Sequence, residues 1–358
     1  MNFDIQKHKD IILVVTFVIF ILLIMLLNYV VDPYYIFHQK PTKGFNHEKT
    51  FRYANKRTNT YSNIKLNGLN KDIVFSGNCL LYNDGTFDKN IAFFTIPVAK
   101  IDEVSNLIQN MYKINPKIKK IYWGLFYDDF YNEKSQEVTD FLPELDSKYL
   151  TLNDIINLFF SWNTTKYSLL TIKDSLKNKE SLNSFIYPYR ELAHKKYDKS
   201  FSFDGVNKIS DVMEFCKNNN IELVIYYSPI HVSKKIDLYN KKQWENNILL
   251  KEKIANITDF YDYSLFNKYN STPLDESNRY YIDNIHPDTE YNNILVKDLL
   301  SKDKKIGTLI TSKNASSYFK KDTKELVEFM SNHKELVESL KKVKPEDAKY
   351  FIRRKNAL

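Results

Sequence analysis

Three side chains in this sequence have the types and spacing that acyl transfer needs. Cys79 follows directly on Gly77-Asn78 at the end of a short apolar run, and Asp283 stands three residues before His286 late in the chain. Such chemistry requires a nucleophile, a base to take its proton, a group that orients the base and N–H donors for the oxyanion. Where a strand turns into a helix, the first free N–H groups of the helix favour a thiolate, which suits Cys79. One short turn between Asp283 and His286 is enough to hold the imidazole against the carboxylate. His231 closes Ser228-Pro229-Ile230-His231 at the end of another apolar run, on the presumed edge of the same site. Each has a structural alternative: Cys79 as a packed small residue, His286 as a structural imidazole, and His231 as the terminus of its strand.

These residues need a scaffold that brings strand ends together, and the apolar runs supply one. Lys71–Ser76, Asn90–Thr95, Lys119–Leu125, Ile221–Tyr227 and Ile257–Tyr263 read as strands. Asp102–Ile114 and Val206–Asn218 read as helices between them, with Val104, Leu107, Ile108 and Met111 on one face. Strands alternating with helices predict βαβ units, hence an α/β fold with a doubly wound, parallel, five-stranded sheet. Chemistry in such sheets gathers at the carboxyl ends of the strands, where Gly77 and Cys79 lie. In a chain with only 7 Gly, a glycine at that place has a job.

Around this domain the sequence predicts a short tail (1–10), an uncharged apolar helix (11–31), a polar and irregular stalk (32–70), the α/β domain (71–300) and a helical extension (301–358). Residues 11–31 are long enough to cross a bilayer, and no small-residue cleavage site follows them, which predicts an uncleaved transmembrane anchor. Lysines flank both ends, so charge alone does not orient it. Residues 127–200 read as an aromatic, mainly helical insertion. In the extension, Asp322-x-x-Glu325 resembles a capping box and Pro345 a first helical turn.

Composition excludes several classes. The net charge of +8 is spread along the chain, which argues against nucleic acid. Two cysteines, Cys79 and Cys216, cannot form a disulfide framework; Cys216 lies on an apolar helical face and reads as core. No Cys/His cluster predicts a metal, and no glycine-rich loop predicts a nucleotide, so no cofactor is expected.

Gly77-Asn78-Cys79-Leu80 after a strand, with a late Asp283-x-x-His286, resembles the SGNH/GDSL hydrolase superfamily. Val31-Asp32-Pro33-Tyr34, Gly44-Phe45-Asn46, Tyr122-Trp123-Gly124-Leu125 and Ser228-Pro229-Ile230-His231 narrow the resemblance to bacterial membrane-anchored proteins of surface-polysaccharide gene clusters, among them O-acetyltransferases of the alginate type. The resemblance implies a flavodoxin-like SGNH sheet and a Cys79–His286–Asp283 triad where relatives carry Ser. It implies oxyanion or substrate contacts from Gly77, Asn78 and the turn at Val98, where the family has Gly, and from Asp128 or Asp129, the polar groups nearest the position of the third-block Asn. His231 is a further substrate-contact candidate. It also implies a single-pass protein of the bacterial cytoplasmic membrane with its domain outside, acting as an acyltransferase or esterase on cell-surface polysaccharide beside a membrane-bound acyltransferase. The alternatives are a catalytically degenerate domain that binds glycan or scaffolds a polysaccharide-modifying complex, and a structural membrane protein assembling through its C-terminal helices.

Overall fold

The computed structural model describes residues 2–37, 39–40, 42–46, 56–67, 70–78, 80–81, 87–88, 90–96, 98–131, 145, 149–177, 185–186, 201–274, 278–342 and 351–352. The chain divides into two compact units, one of Met1–Leu69 with Glu137–Glu180, the other of Asn70–Gln136 with Ser181–Leu358.

The first unit holds α1 (Asn2–Val31), α2 (Lys56–Asn67), α4 (Leu152–Phe159) and α5 (Trp162–Leu176). The stretch His8–Val31 of α1 is long and apolar enough to cross a membrane. Its last turns pack on α4 and α5. There Asn28 donates to the carbonyl of Phe159 (2.7 Å) and the hydroxyl of Thr165 (3.1 Å), and accepts from Ser168 Oγ (2.8 Å). The segment expected to be an irregular stalk contains α2, whose Arg57, Thr58, Ser62 and Lys65 are buried. Such a helix shows no apolar periodicity, because apart from Ile64 its buried face is polar; Lys65 pairs with buried Asp154 at 2.9 Å.

The second unit is α/β. Its elements are β1 (Ile73–Asn78), β2 (Ile91–Ile96), α3 (Ile101–Ile114), β3 (Lys120–Leu125), β4 (Phe185–Ile186), α6 (Gly205–Asn218), β5 (Glu222–Tyr227), α7 (Val232–Asn240), α8 (Trp244–Ala255), β6 (Phe260–Asp262), α9 (Thr289–Leu300), β7 (Thr308–Ile310), α10 (Ala315–Asn332), α11 (Lys334–Lys341) and β8 (Phe351–Ile352). The main sheet runs β2-β1-β3-β5-β6-β7, and β4 pairs with β8. Five strands are parallel and β7 is antiparallel to β6. The sheet is therefore mixed and six-stranded, where an all-parallel sheet of five was expected. The cause is the short return after α9. Asp298 accepts the N–H groups of Lys305 (2.6 Å) and Gly307 (3.2 Å), which turns the chain straight back onto the sheet edge with no room for a crossover.

Alternation along the strands sends Phe93, Phe75 and Tyr122 to one face, where they stack at 4.8 and 4.5 Å beneath Leu295, Val296 and Leu299 of α9. The opposite face carries α3, whose buried Ile101, Val104, Leu107, Ile108 and Met111 recur at helical spacing, packed beside α6. Each fully buried side chain of this size contributes roughly 1.5–3 kcal/mol.

Two strand glycines are required by contact. Gly77 has φ +150°, and a Cβ there would lie 2.7 Å from the carbonyl oxygen of Gly124, while a Cβ on Gly124 would run into the hydroxyl of Tyr226. The backbones of β1 and β3 thus approach too closely for side chains just where the site begins.

The C-terminal extension is built into this unit. Asp322, expected to cap a helix, lies within α10, buried, with Oδ1 accepting from Lys235 Nζ of α7 (2.7 Å) and from the N–H of Phe266 (3.1 Å). The local Asp-x-x-Glu pattern is overridden by this tertiary ion pair. Pro345 lies outside the described residues.

Candidate active site

The Asp283–His286 turn is made by the backbone. Ile282 N–H donates to the carbonyl of His286 (2.9 Å) and Asp288 N–H to that of Tyr280 (2.7 Å), closing the loop between β6 and α9. Within it Asp283 Oδ1 accepts the N–H groups of Ile285 (2.8 Å) and His286 (2.7 Å), and Oδ2 accepts from His286 Nδ1 at 2.7 Å. Burial alone would raise the Asp283 pKa; the facing His286 and these hydrogen bonds outweigh it and hold the carboxyl below its ordinary value. With Nδ1–H on the carboxylate, Nε2 is the basic nitrogen of His286, whose side chain is 24% exposed.

Across the same edge of the sheet, β1 delivers Asn78. Its Oδ1 accepts from Leu80 N–H (3.0 Å), shaping the turn out of the strand, and its Nδ2 donates to Asp129 Oδ1 (3.0 Å). Asp129 Oδ2 accepts from Phe126 N–H (2.8 Å). Burial nevertheless dominates and raises Asp129 to about 8, with Asp128 adding repulsion. Asp129 therefore keeps its proton well above the ordinary carboxylate range, beside Asn78.

Asp128 points elsewhere: its Oδ2 lies 3.6 Å from Lys234 Nζ, and its carbonyl accepts from Lys100 Nζ (3.2 Å). Lys234 is itself buried, near the ring of Phe126. Val98 sits at φ +53° and is 47% exposed. A β-branched residue in the left-handed region is an outlier held there by its surroundings.

His231 is committed internally. Its Nδ1 accepts from Ser233 N–H (3.1 Å) as the N-cap of α7, and its Nε2–H donates to the carbonyl of Thr272 (2.5 Å). Both ring nitrogens serve the protein, so neither remains for substrate. Burial pushes its pKa down to about 4, leaving it neutral. Its backbone N–H donates to the carbonyl of Asn284 (3.2 Å), which ties the end of β5 to the Asp283–His286 loop.

The structure thus joins Asp283 to His286, and Asn78 to Asp129. It places His231 between the β5 end and the late loop as a positioning residue. Cys79 lies outside the described residues, between Asn78 and Leu80 in the chain. Cys216 is buried on α6, its thiol pushed up to about 11 by burial.

Of the two acidic residues near the third-block position, it is Asp129 rather than Asp128 that meets Asn78. Two residues were not singled out by motif: Lys234 looks like a surface charge in the sequence, and Asn284, fully buried, has neither its amide nitrogen nor its oxygen bonded among the described residues. The sequence signal for Lys234 is nearness to the end of β5, and for Asn284 its place between Asp283 and His286. Among the described residues no His/Cys/Asp/Glu group could hold a metal.

Comparisons with protein-family models, curated proteins and solved structures returned no match to this chain.

Proposed function

We propose that this chain is a membrane-anchored acyl-transfer or ester-hydrolysing protein of SGNH type acting on cell-surface polysaccharide, with Cys79 as nucleophile, His286 as base and Asp283 as its orienter. The observation that carries the reading is the 2.7 Å Asp283–His286 bond in a loop tied to the carboxyl edge of an α/β sheet. The first strand of that sheet ends in Gly77-Asn78, immediately before Cys79. In this reading the five parallel strands are the SGNH core in flavodoxin-like order and β7 is an addition at its edge.

In the first half-reaction the Cys79 sulfur bonds to the ester carbonyl carbon and its proton passes to His286 Nε2. The carbon–oxygen bond then breaks, and the departing alkoxide takes that proton. In the second, water or a sugar hydroxyl gives a proton to His286, its oxygen bonds to the acyl carbon, and the carbon–sulfur bond breaks, the departing Cys79 sulfur taking that proton back from His286. The positive φ of Val98 supports a retained oxyanion turn, since an N–H donor there does not depend on the side chain.

The packing of Asn28 into α4 and α5 supports α1 as a retained anchor, because cleavage after the apolar helix would remove a residue the fold uses. The bacterial cytoplasmic membrane, an external domain and a membrane-bound acyltransferase as acyl source belong to the same proposal.

One observation favours a second reading, a non-catalytic domain that binds glycan or scaffolds a polysaccharide-modifying complex. The Asn78 amide donates to Asp129, the group that would otherwise serve an oxyanion. The test is an aryl-acetate and glycan-acetylation assay on the full chain in detergent. Cys79→Ala and His286→Ala are expected to lower turnover by about 10³-fold or more, with Cys79→Ser retaining part of it. Unchanged turnover in Cys79→Ala overturns the triad; glycan binding by an inactive wild type establishes the second reading.

A further inference from the structure

We infer that α4 and α5 form a collar that lies in the surface of the lipid bilayer around the end of α1; the inference rests on the reading of α1 as a membrane span. The polarity of α5 is reversed relative to a helix on a soluble core. Its buried side is Thr164, Ser168, Thr171, Asp174 and Ser175. Its outer side carries Trp162, Leu169 and Leu176, exposed by 76, 52 and 68%. These recur at i, i+7 and i+14, one stripe of an α-helix, with exposed Lys166 and Lys173 interleaved at i+4 and i+11 on the same stripe. Helix α4 continues the pattern with Leu152 and Ile156, exposed by 74 and 47%.

In water such a face is costly; at a bilayer boundary each part has a use. Trp and Leu enter the acyl-headgroup boundary, and lysine stems run along the apolar surface while their ammonium groups reach anionic headgroups. The inward side fits as well, because helices in lipid are joined by close packing over small side chains such as Ser and Thr, together with hydroxyl and amide hydrogen bonds between helices. Asn28 with Thr165 and Ser168 is such a junction.

Depth follows from the same contacts. A helix rises about 1.5 Å per residue, so the span of α1 exceeds roughly 30 Å of hydrocarbon by a few residues. Asn28, three residues before the end of α1, therefore falls near the hydrocarbon boundary and brings Phe159, Thr165 and Ser168 to that level. The exposed apolar surface of α1 and that of the collar belong to one unit and to one environment.

The chain contains three tryptophans, and Trp123 and Trp244 are 0 and 3% exposed inside the α/β unit. Trp162 can therefore be read by fluorescence. The full chain is reconstituted into phosphatidylcholine/phosphatidylglycerol vesicles carrying bromine on the acyl chains. Bromines near the headgroup end are expected to quench the emission more than bromines near the chain terminus, and Trp162→Phe to abolish the difference. A Leu169→Gln/Leu176→Gln variant, which alters only exposed positions, is expected to reduce the quenching by about half. Quenching by aqueous acrylamide but not by bromolipid overturns the collar, as does protection from both, which would mean a second copy or another protein covers the face. Alkaline extraction separates the two readings: protein retained in the vesicles with Trp162 unquenched defeats the collar alone, whereas protein released from them defeats the anchor and the collar together.

Discussion

In the α/β unit the interior is largely aromatic and aliphatic, as in the Phe93–Phe75–Tyr122 stack under α9, and buried polar groups gather at the carboxyl edge of the sheet. In the unit built on α1 the balance is inverted. Among the described residues its buried side chains are mostly polar, including Asn28, Arg57, Lys65, Asp154, Thr164 and Ser168, and its large apolar side chains are mostly outside. The hydrophobic effect accounts for the first arrangement directly. Beside its small apolar cluster of Tyr34, Ile36 and Leu158, the second follows from the same effect under the collar proposed above, in which the medium around that unit is itself apolar.

Both units nevertheless use a buried lysine–carboxylate pair, which gives the sharpest way to test their separateness. Lys251 Nζ lies 2.8 Å from Asp262 Oδ2 and 2.6 Å from Ser264 Oγ, all buried. Lys65 and Asp154 make the equivalent pair in the other unit. Removing one partner strands a buried charge and typically costs about 3–5 kcal/mol. Lys251→Met is expected to lower amide-exchange protection throughout β5, β6, α8 and α10 while leaving α5 unchanged. Lys65→Met is expected to do the reverse. A single shared loss of protection in both variants would mean that the chain unfolds as one body and that the contrast between the units has no energetic meaning.

That contrast also explains what the sequence disclosed. The α/β unit was legible because apolar runs at Ile73, Ile91, Lys120 and Glu222 report burial directly, and because Asp283-x-x-His286 is a local motif that one turn completes. The strand at Thr308–Ile310 is too short to leave a run, and its place is set by the Asp298 turn. Asp322 satisfied a local capping pattern yet belongs to Lys235, and Lys234 beside it reads as a solvated charge. Helix α2 was invisible because its buried face is polar apart from Ile64. For Asp322, Lys234 and α2 the missing information is a partner outside the local pattern, which neither composition nor period encodes.

The polar edge of the α/β unit can be sharpened through pH. Asp129, raised to about 8, is protonated in the folded state and ionised in the unfolded state above its ordinary value near 4. Its contribution to stability is complete below about 4 and is lost as pH rises toward 8. His231, lowered to about 4, acts oppositely between about 4 and 6.5, since the unfolded state takes up a proton there first. The two offset each other below 6.5, so the difference in slope between wild type and Asp129→Asn over pH 6.5–8 reports Asp129, since groups such as His286 are common to both. Stability of wild type should fall across that window with a limiting slope of about 1.4 kcal/mol per pH unit, and Asp129→Asn should flatten it. Urea melts at a series of pH values measure the slope independently of any constant loss from the substitution. An unchanged slope in Asp129→Asn would mean that the carboxylate is ionised in the fold, and that the edge beside Asn78 is more open to water than its burial indicates.

The smallest effect concerns Val98, where the same edge tolerates strain. A β-branched residue at φ +53° costs on the order of 1 kcal/mol relative to glycine, which adopts that conformation freely. Part of the gain from Val98→Gly is offset by the greater freedom of glycine in the unfolded chain. The net stabilisation is therefore expected to be under about 1 kcal/mol by urea melt, at the limit of such measurements. Turnover discriminates more strongly. If the turn at 98 supplies an oxyanion N–H, removing a half-exposed isopropyl group from beside it should raise kcat/KM while leaving the Asp283–His286 pair untouched. If the domain only binds glycan, stability rises by the same small amount and ester cleavage stays at background, so the strain would be a relic of backbone packing with no chemistry left to serve.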